Sequence, residues 1–183
     1  EVSVFPDPAG SFTTAAAMVA CTQKALKEKF NETLNGQNII IYGGKGIVGG
    51  ISSILCAKFG SKCTIVGYDG IENVSNKAKE YKSRFGVEII PGDGSTDELN
   101  SSFLTDADII FCAARAGTQV INLKQMQDCE SLKVIADVNA VPPAGIEGVG
   151  LKDNYIEHET GAVSIGPLIS GDVKVKTQYK MFE

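Results

Sequence analysis

Histidine is almost absent from this chain: among 183 residues there is one, His158. The cysteines, Cys21, Cys56, Cys63, Cys112 and Cys129, are odd in number and scattered, with no C-x-x-C pair. Without histidines or ligand spacing, no metal site is expected. Three of the cysteines sit in apolar segments, where a free thiol behaves as a small hydrophobe; all five read as reduced and the location as cytoplasmic. An excess of positive charge is also missing. Lys and Arg number 17 against 22 Asp and Glu, a net charge of −5, which argues against a nucleic-acid partner. No apolar run approaches the roughly 20 residues a membrane helix needs, so no membrane partner is expected. The opening is acidic, without the basic and apolar regions of a signal peptide.

What is present is 43% hydrophobic residues, enough for one domain with a real core. A helical pattern begins after Gly10, with Ser11 or Thr13 as its cap. Strands and helices then alternate. Strands are expected at 38–42, 63–66, 87–90, 108–113, 133–136 and 162–165. Helices are expected at 47–59, 72–85, 96–104 and 122–127. Residues 153–160 read as polar loop and the end of the chain as a basic tail. Several strands are apolar at every position, as strands buried on both faces are. The expected fold is α/β: an open, doubly wound, mostly parallel sheet, a Rossmann-like NAD(P)-binding domain spanning residues 1–183.

The first such strand runs into glycines, as "NIIIYGGKGIVGG". Gly44 is read as the tight turn, Gly46 as the bare backbone a pyrophosphate approaches, and Gly49 as the close contact of helix with strand. The helix start would present free N–H groups to phosphates. Cofactor binding is therefore expected from Gly43, Gly44, Lys45, Gly46, Ile47, Val48 and Gly49. Asp69 follows Gly49 by about 20 residues, where a ribose-binding carboxylate is expected. Lys45 is not in G-K-[ST] context, which excludes a P-loop.

Three segments carry a resemblance: "DPAGSFTTAAAMVA" at 7–20, the glycine turn itself, and "VIADVNAVPPAGIEGV" at 134–149. In this order and spacing they resemble the methylene-tetrahydromethanopterin dehydrogenases, pterin-linked one-carbon enzymes grouped with methylene-tetrahydrofolate dehydrogenases. The resemblance runs from about residue 3 to residue 182 and is most specific at N-A-x-P-P. It implies an oxidoreductase that passes a hydride from the methylene carbon of a reduced pterin or folate to NAD or NADP. It also implies a smaller N-terminal domain that helps form the pterin cleft. Residues 2–5 would be the end of that domain, and residues 1–12 and 171–183 would bridge to it. Members with an arginine at the position of Tyr68 use NADP. This chain has Tyr68 and Asp69 there, and NAD is favoured over NADP on that ground. The loop Ala113, Ala114, Arg115 would pass under the cofactor. A homo-oligomer is expected.

The product of such a reaction is a cation shared by two nitrogens, so the protein's task is mainly orientation and exclusion of water. That suits a chain with no catalytic pair. Asp137 and Asn139 are orientation candidates at the end of a strand, either for the nicotinamide amide or the pterin, or only to fix the turn before Pro142. Lys174, and Lys176 with it, could hold an acidic pterin side chain or be a solvated face. Asp7, Thr13 and Thr14 either line the cleft or cap the first helix. Arg115 is placed for phosphate or substrate contact, Pro142 for substrate. His158, between two glutamates, reads as a solvated loop histidine. Two other readings share the fold: a non-catalytic dinucleotide-binding or regulatory module, and a quinate-type dehydrogenase with a Lys/Asp pair in its substrate half.

Overall fold

The computed structural model describes residue 4 and residues 6–182. Apart from exposed Val4, the strand expected at 2–5 lies outside the described residues. In chain order the elements are α1 (Ser11–Ala25), β1 (Asn38–Tyr42), α2 (Ile47–Lys58), β2 (Lys62–Gly67), α3 (Ile71–Phe85), β3 (Ile90–Asp93) and α4 (Asp97–Ser102). They continue with β4 (Ile109–Cys112), α5 (Leu123–Met126), β5 (Val134–Asp137), β6 (Asn154–Glu157), β7 (Val163–Ile165) and α6 (Pro167–Lys180). A π-helical turn, Leu26–Phe30, extends α1.

The strands form one sheet in the order β3-β2-β1-β4-β5-β7-β6. Every pairing is parallel except β6 with β7. The chain winds outward from β1 to β3 and then returns to lay β4 on the other side of β1. The crevice at that reversal is where doubly wound sheets bind ligands.

The apolar runs are explained by the two faces. Ile39 and Ile41 point with Ile65, Phe111 and Ala136 into a core closed by α1, α2 and α3. Ile40 and Tyr42 point with Val66, Ile110 and Ile135 into a second core closed by Leu104, Ile121 and Met126. No residue of Ile39–Ile41 is more than 2% exposed, and each such side chain contributes on the order of 2 kcal/mol. α2 and α3 stop where glycine takes a left-handed conformation, Gly60 (φ 90°) just past α2 and Gly86 (φ 67°) capping α3. α6 lies along α1, with Ile169 and Val173 packed on the first core.

Four local expectations are corrected. The third strand pairs with β2 from Ile90 to Asp93, not at 87–90. It is an edge strand, where Pro91 and Gly92 are tolerated. Val87 and Ile89 are buried in the segment leading into it. The polar segment 153–160 contains β6, whose polarity belongs to an exposed sheet edge. The basic tail is helical: Gly166 caps α6 and Pro167 opens it. Finally, neither Ser11 nor Thr13 caps α1. The N-cap is Gly10, and the Asp7 carboxylate accepts the N–H of Phe12 (2.7 Å) and of Thr13 (3.3 Å).

Candidate functional site

Each glycine of the turn after β1 is small for its own reason. Gly43, not Gly44, takes the left-handed conformation (φ 78°), and a side chain on it would collide with the Ala113 backbone. Gly44 leaves room for the Ile65 side chain of β2. A Cβ on Gly49 would stand 2.5 Å from the Gly43 oxygen, so α2 sits directly on the turn. A Cβ on Gly46 would meet only that oxygen, at 3.3 Å, with nothing else within 4 Å. Gly46 is also the N-cap of α2, and the first α-helical bond runs from Gly50 N–H to its carbonyl (2.9 Å). The amides of Ile47, Val48 and Gly49 therefore begin the helix without an intrahelical acceptor. Bare backbone beside unmatched N–H groups fits the pyrophosphate of a dinucleotide. The turn is braced from behind: the buried Tyr81 hydroxyl donates to the Gly44 carbonyl at 2.9 Å.

At the end of β2, Lys45 forms an ion pair with Asp69. This hydrogen bond is the main reason the Asp69 carboxyl is held below the usual carboxylate range. Asn73 donates to the same carboxylate at 3.2 Å. Tyr68 is 46% exposed, stacks on Tyr42 at 6.3 Å and donates to the Val120 carbonyl at 3.0 Å. Burial pushes its phenol up to about 12. Behind it the Tyr42 hydroxyl donates to Asn100 at 2.6 Å. A cleft of about 420 Å³ opens beside Tyr68, lined also by Asp97, Asn100, Val120 and Gln125. Sequence reasoning missed Asn100 and Val120, which lie far from the motifs along the chain.

Ala113, whose N–H donates to the Tyr42 carbonyl at 2.9 Å, brings the 113–117 loop over Gly43. Arg115 is exposed on it. Asn139 ties this loop to the next. Its oxygen accepts from Gly117 (3.2 Å) and Val141 (3.0 Å), and its amide donates to the Pro143 carbonyl (2.9 Å). Pro142 is exposed on that second loop and joined to Pro143 by a cis bond.

Asp137 is corrected from the sequence expectation. It is fully buried, and its oxygens accept from Asn139 (2.8 Å), Gly145 (2.7 Å) and Ile146 (3.2 Å). No face of it is left for a ligand. Burial raises its pKa despite these three N–H donors. His158 is corrected too. It is 5% exposed, with its ring between Thr160 (3.0 Å) and the Glu147 carbonyl (2.9 Å). It is a buried brace rather than a solvated loop histidine.

A separate cleft of about 750 Å³ is lined by Asp7, Thr13, Val175, Gln178, Tyr179 and Phe182. Thr13 donates to Asp7 at 2.7 Å, and Gln178 donates to Thr13 at 3.1 Å. Burial works against ionisation of Asp7, but the Thr13 and Phe12 hydrogen bonds prevail and lower its pKa. Thr14 donates to the Gly10 carbonyl and Lys174 to that of Ala9. Lys176 pairs with Asp172 one turn earlier on α6 (2.6 Å) and does not line this cleft.

No family model matches the chain. It is 43% identical over 180 residues to an NAD(P)-dependent methylenetetrahydromethanopterin dehydrogenase of Methylorubrum extorquens, which covers 98% of this chain and 61% of the relative. It is 30% identical over 176 residues to the bifunctional protein MdtA of the same organism, 96% of this chain and 59% of that one. The chain thus spans about three fifths of the length of these curated relatives. Among solved structures it resembles a quinate dehydrogenase from Corynebacterium glutamicum in complex with NAD. That match has a TM-score of 0.65 and 14% identity, over 93% of this chain and 56% of the other. An L-tryptophan dehydrogenase from Nostoc punctiforme matches with TM-score 0.63 and 16% identity, over 100% and 52%. At such identities the likeness is one of fold: a Rossmann-like α/β domain. The resemblance carried by the three sequence motifs is borne out, and along nearly all its length the chain is similar to an NAD(P)-dependent methylenetetrahydromethanopterin dehydrogenase.

Proposed function

We propose that this chain is the NAD(P)-binding part of a pterin-linked one-carbon oxidoreductase, taking a hydride from methylene-tetrahydromethanopterin or methylene-tetrahydrofolate. The observation that carries the reading is the bare Gly46 backbone beside the unmatched amides of α2. The 43% identical relative supports the substrate class. In this reading Gly43 to Gly49 hold the pyrophosphate, and Asp69 with Lys45 meets the adenosine ribose. Tyr68 offers its half-exposed ring to the adenine beside the 420 Å³ cleft. Ala113, Ala114 and Arg115 flank the nicotinamide half.

The cofactor supplies the hydride acceptor when bound. The chain's own residues orient and exclude water. Asp137 acts through the backbone, fixing the 139–146 loop that borders the crevice. Asn139 locks that loop to the one bearing Arg115. No side chain is asked to move a proton, because hydride loss leaves a cation stabilised within the pterin. Asp7, Thr13 and Gln178 are assigned to the border with a substrate domain outside these 183 residues. The α6 end, with Tyr179, Met181 and Phe182 exposed, would bridge to that domain.

The test is Gly46→Val. Gly46 has φ −77°, which a valine adopts freely, and its side chain would project toward the phosphates. NADH titrated by fluorescence into parent and variant should show at least about a tenfold rise in Kd (about 1.4 kcal/mol), with the far-UV spectrum retained. Equal affinity places the cofactor elsewhere.

A further inference from the structure

Lys45 sits one residue from the bare backbone of Gly46, yet its ammonium reaches across to Asp69 at the end of β2. The two meet over Gly67, where a Cβ would stand 3.5 Å from Lys45 Cε and 3.4 Å from Asp69 Oδ1. One lysine therefore spans both the phosphate cradle and the ribose carboxylate. The pair is open to solvent, with side chains 32% and 53% exposed. Exposed pairs of this kind contribute roughly 0–1 kcal/mol, so separating them costs little. Asp69 has a second partner, the Asn73 amide at 3.2 Å, which would remain if Lys45 left. The neighbouring cation on α3, Lys77, is engaged with Glu80 at 2.7 Å.

Resting on the dinucleotide reading above, we propose that Lys45 is the residue that admits a 2′-phosphate beside Asp69, by exchanging the carboxylate for the phosphate when NADP binds. With NAD, Asp69 accepts the ribose hydroxyls and Lys45 stays beside it. With NADP, the ammonium turns from Asp69 to the dianion, and the Asn73 amide keeps the carboxylate. Asp69 alone would select against phosphate; paired with Lys45 it selects weakly.

Direct binding of NADH and NADPH to the 183-residue protein tests this, by calorimetry on parent, Lys45→Gln, Lys45→Arg and Asp69→Asn. The readout is the ratio of the NADPH to the NADH dissociation constant. Lys45→Gln should raise it about tenfold, equivalent to about 1.4 kcal/mol. Lys45→Arg should restore it, and Asp69→Asn should lower it. The parent ratio should rise with added salt, because a screened ammonium loses the phosphate first. A Lys45→Gln ratio within twofold of the parent overturns the proposal, even if both affinities fall, since Lys45 would then serve only the shared pyrophosphate. So does a parent that binds NADH but not NADPH. A parent that binds neither nucleotide fails before any variant is compared, and that outcome rejects the dinucleotide site itself.

Discussion

The side chain of Asp137 shows how a residue can matter to a site it never touches. Its carboxylate collects three backbone N–H groups from a loop that would otherwise have buried donors without acceptors. Asp137→Ala leaves all three unpaired. At about 1–3 kcal/mol for each such group, the loss in urea denaturation should exceed about 3 kcal/mol. Asp137→Asn keeps one acceptor oxygen and turns an NH₂ toward a donor, so it should lose less than the alanine variant. A loss under about 1 kcal/mol for Asp137→Ala would mean that the loop holds itself. From sequence this aspartate looked like a ligand, because a carboxylate at the end of a strand beside the crevice is where ligands are sought. Burial is a tertiary fact, and periodicity does not encode it. The same holds for His158, flanked by glutamates in sequence and closed in by Gly148 in the fold.

At the scale of elements, the legible parts were those whose signals are local. β1, β2, β4 and β5 are apolar runs between glycines, and the turn into α2 is a spacing within one decapeptide. Elements that depend on a neighbour were not legible. β3 and β6 lie at the two sheet edges, where polarity and Pro91 hide a strand. α6 has an apolar strip too weak to stand out from its lysines, and it is fixed by packing on α1. The start of α1 belongs with these, since its cap reaches back from Asp7 over a 3₁₀ turn, Pro8–Gly10. Asp7→Ala removes the acceptor for two first-turn amides and a negative charge at a helix N-terminus, a loss of about 1 kcal/mol. The folded-state pKa of Asp7 is lowered from 3.8. Its contribution is therefore fully present above pH 3.8 and is lost as pH falls through the folded value. Thermal melts at pH 7 should separate parent from variant by a few degrees, and the gap should close below pH 3. A gap that persists there would assign the cap to something other than the carboxylate.

For the whole molecule, the two clefts and the exposed end of α6 have to be read together. The glycine turn, the Lys45–Asp69 pair and the Tyr68 cleft all border the carboxyl edge of β1 and β2, a complete set of contacts for a dinucleotide. The 750 Å³ cleft is different. Its polar floor is Asp7, Thr13 and Gln178, while Tyr179 (70% exposed), Met181 (56%) and Phe182 (90%) leave an apolar rim in water. Clustered exposed apolar side chains mark surfaces that another body covers. The relatives are longer than this chain by about two fifths of their own length. If a second body completes the pterin side, the 183 residues alone should bind NADH yet oxidise methylene-tetrahydromethanopterin at a rate at least about a hundredfold below that of the longer relative. That factor is what misplacing a reactant by about 1 Å already costs. The measurement is absorbance at the reduced-nicotinamide band, with both pterin and folate substrates, in parallel with calorimetric NADH binding. Turnover by the isolated chain at the relative's rate would place the whole pterin site within these residues and make the rim of α6 irrelevant to it. NADH binding with no turnover, restored when the preceding domain of the relative is fused to residue 1, would assign that rim to the substrate side.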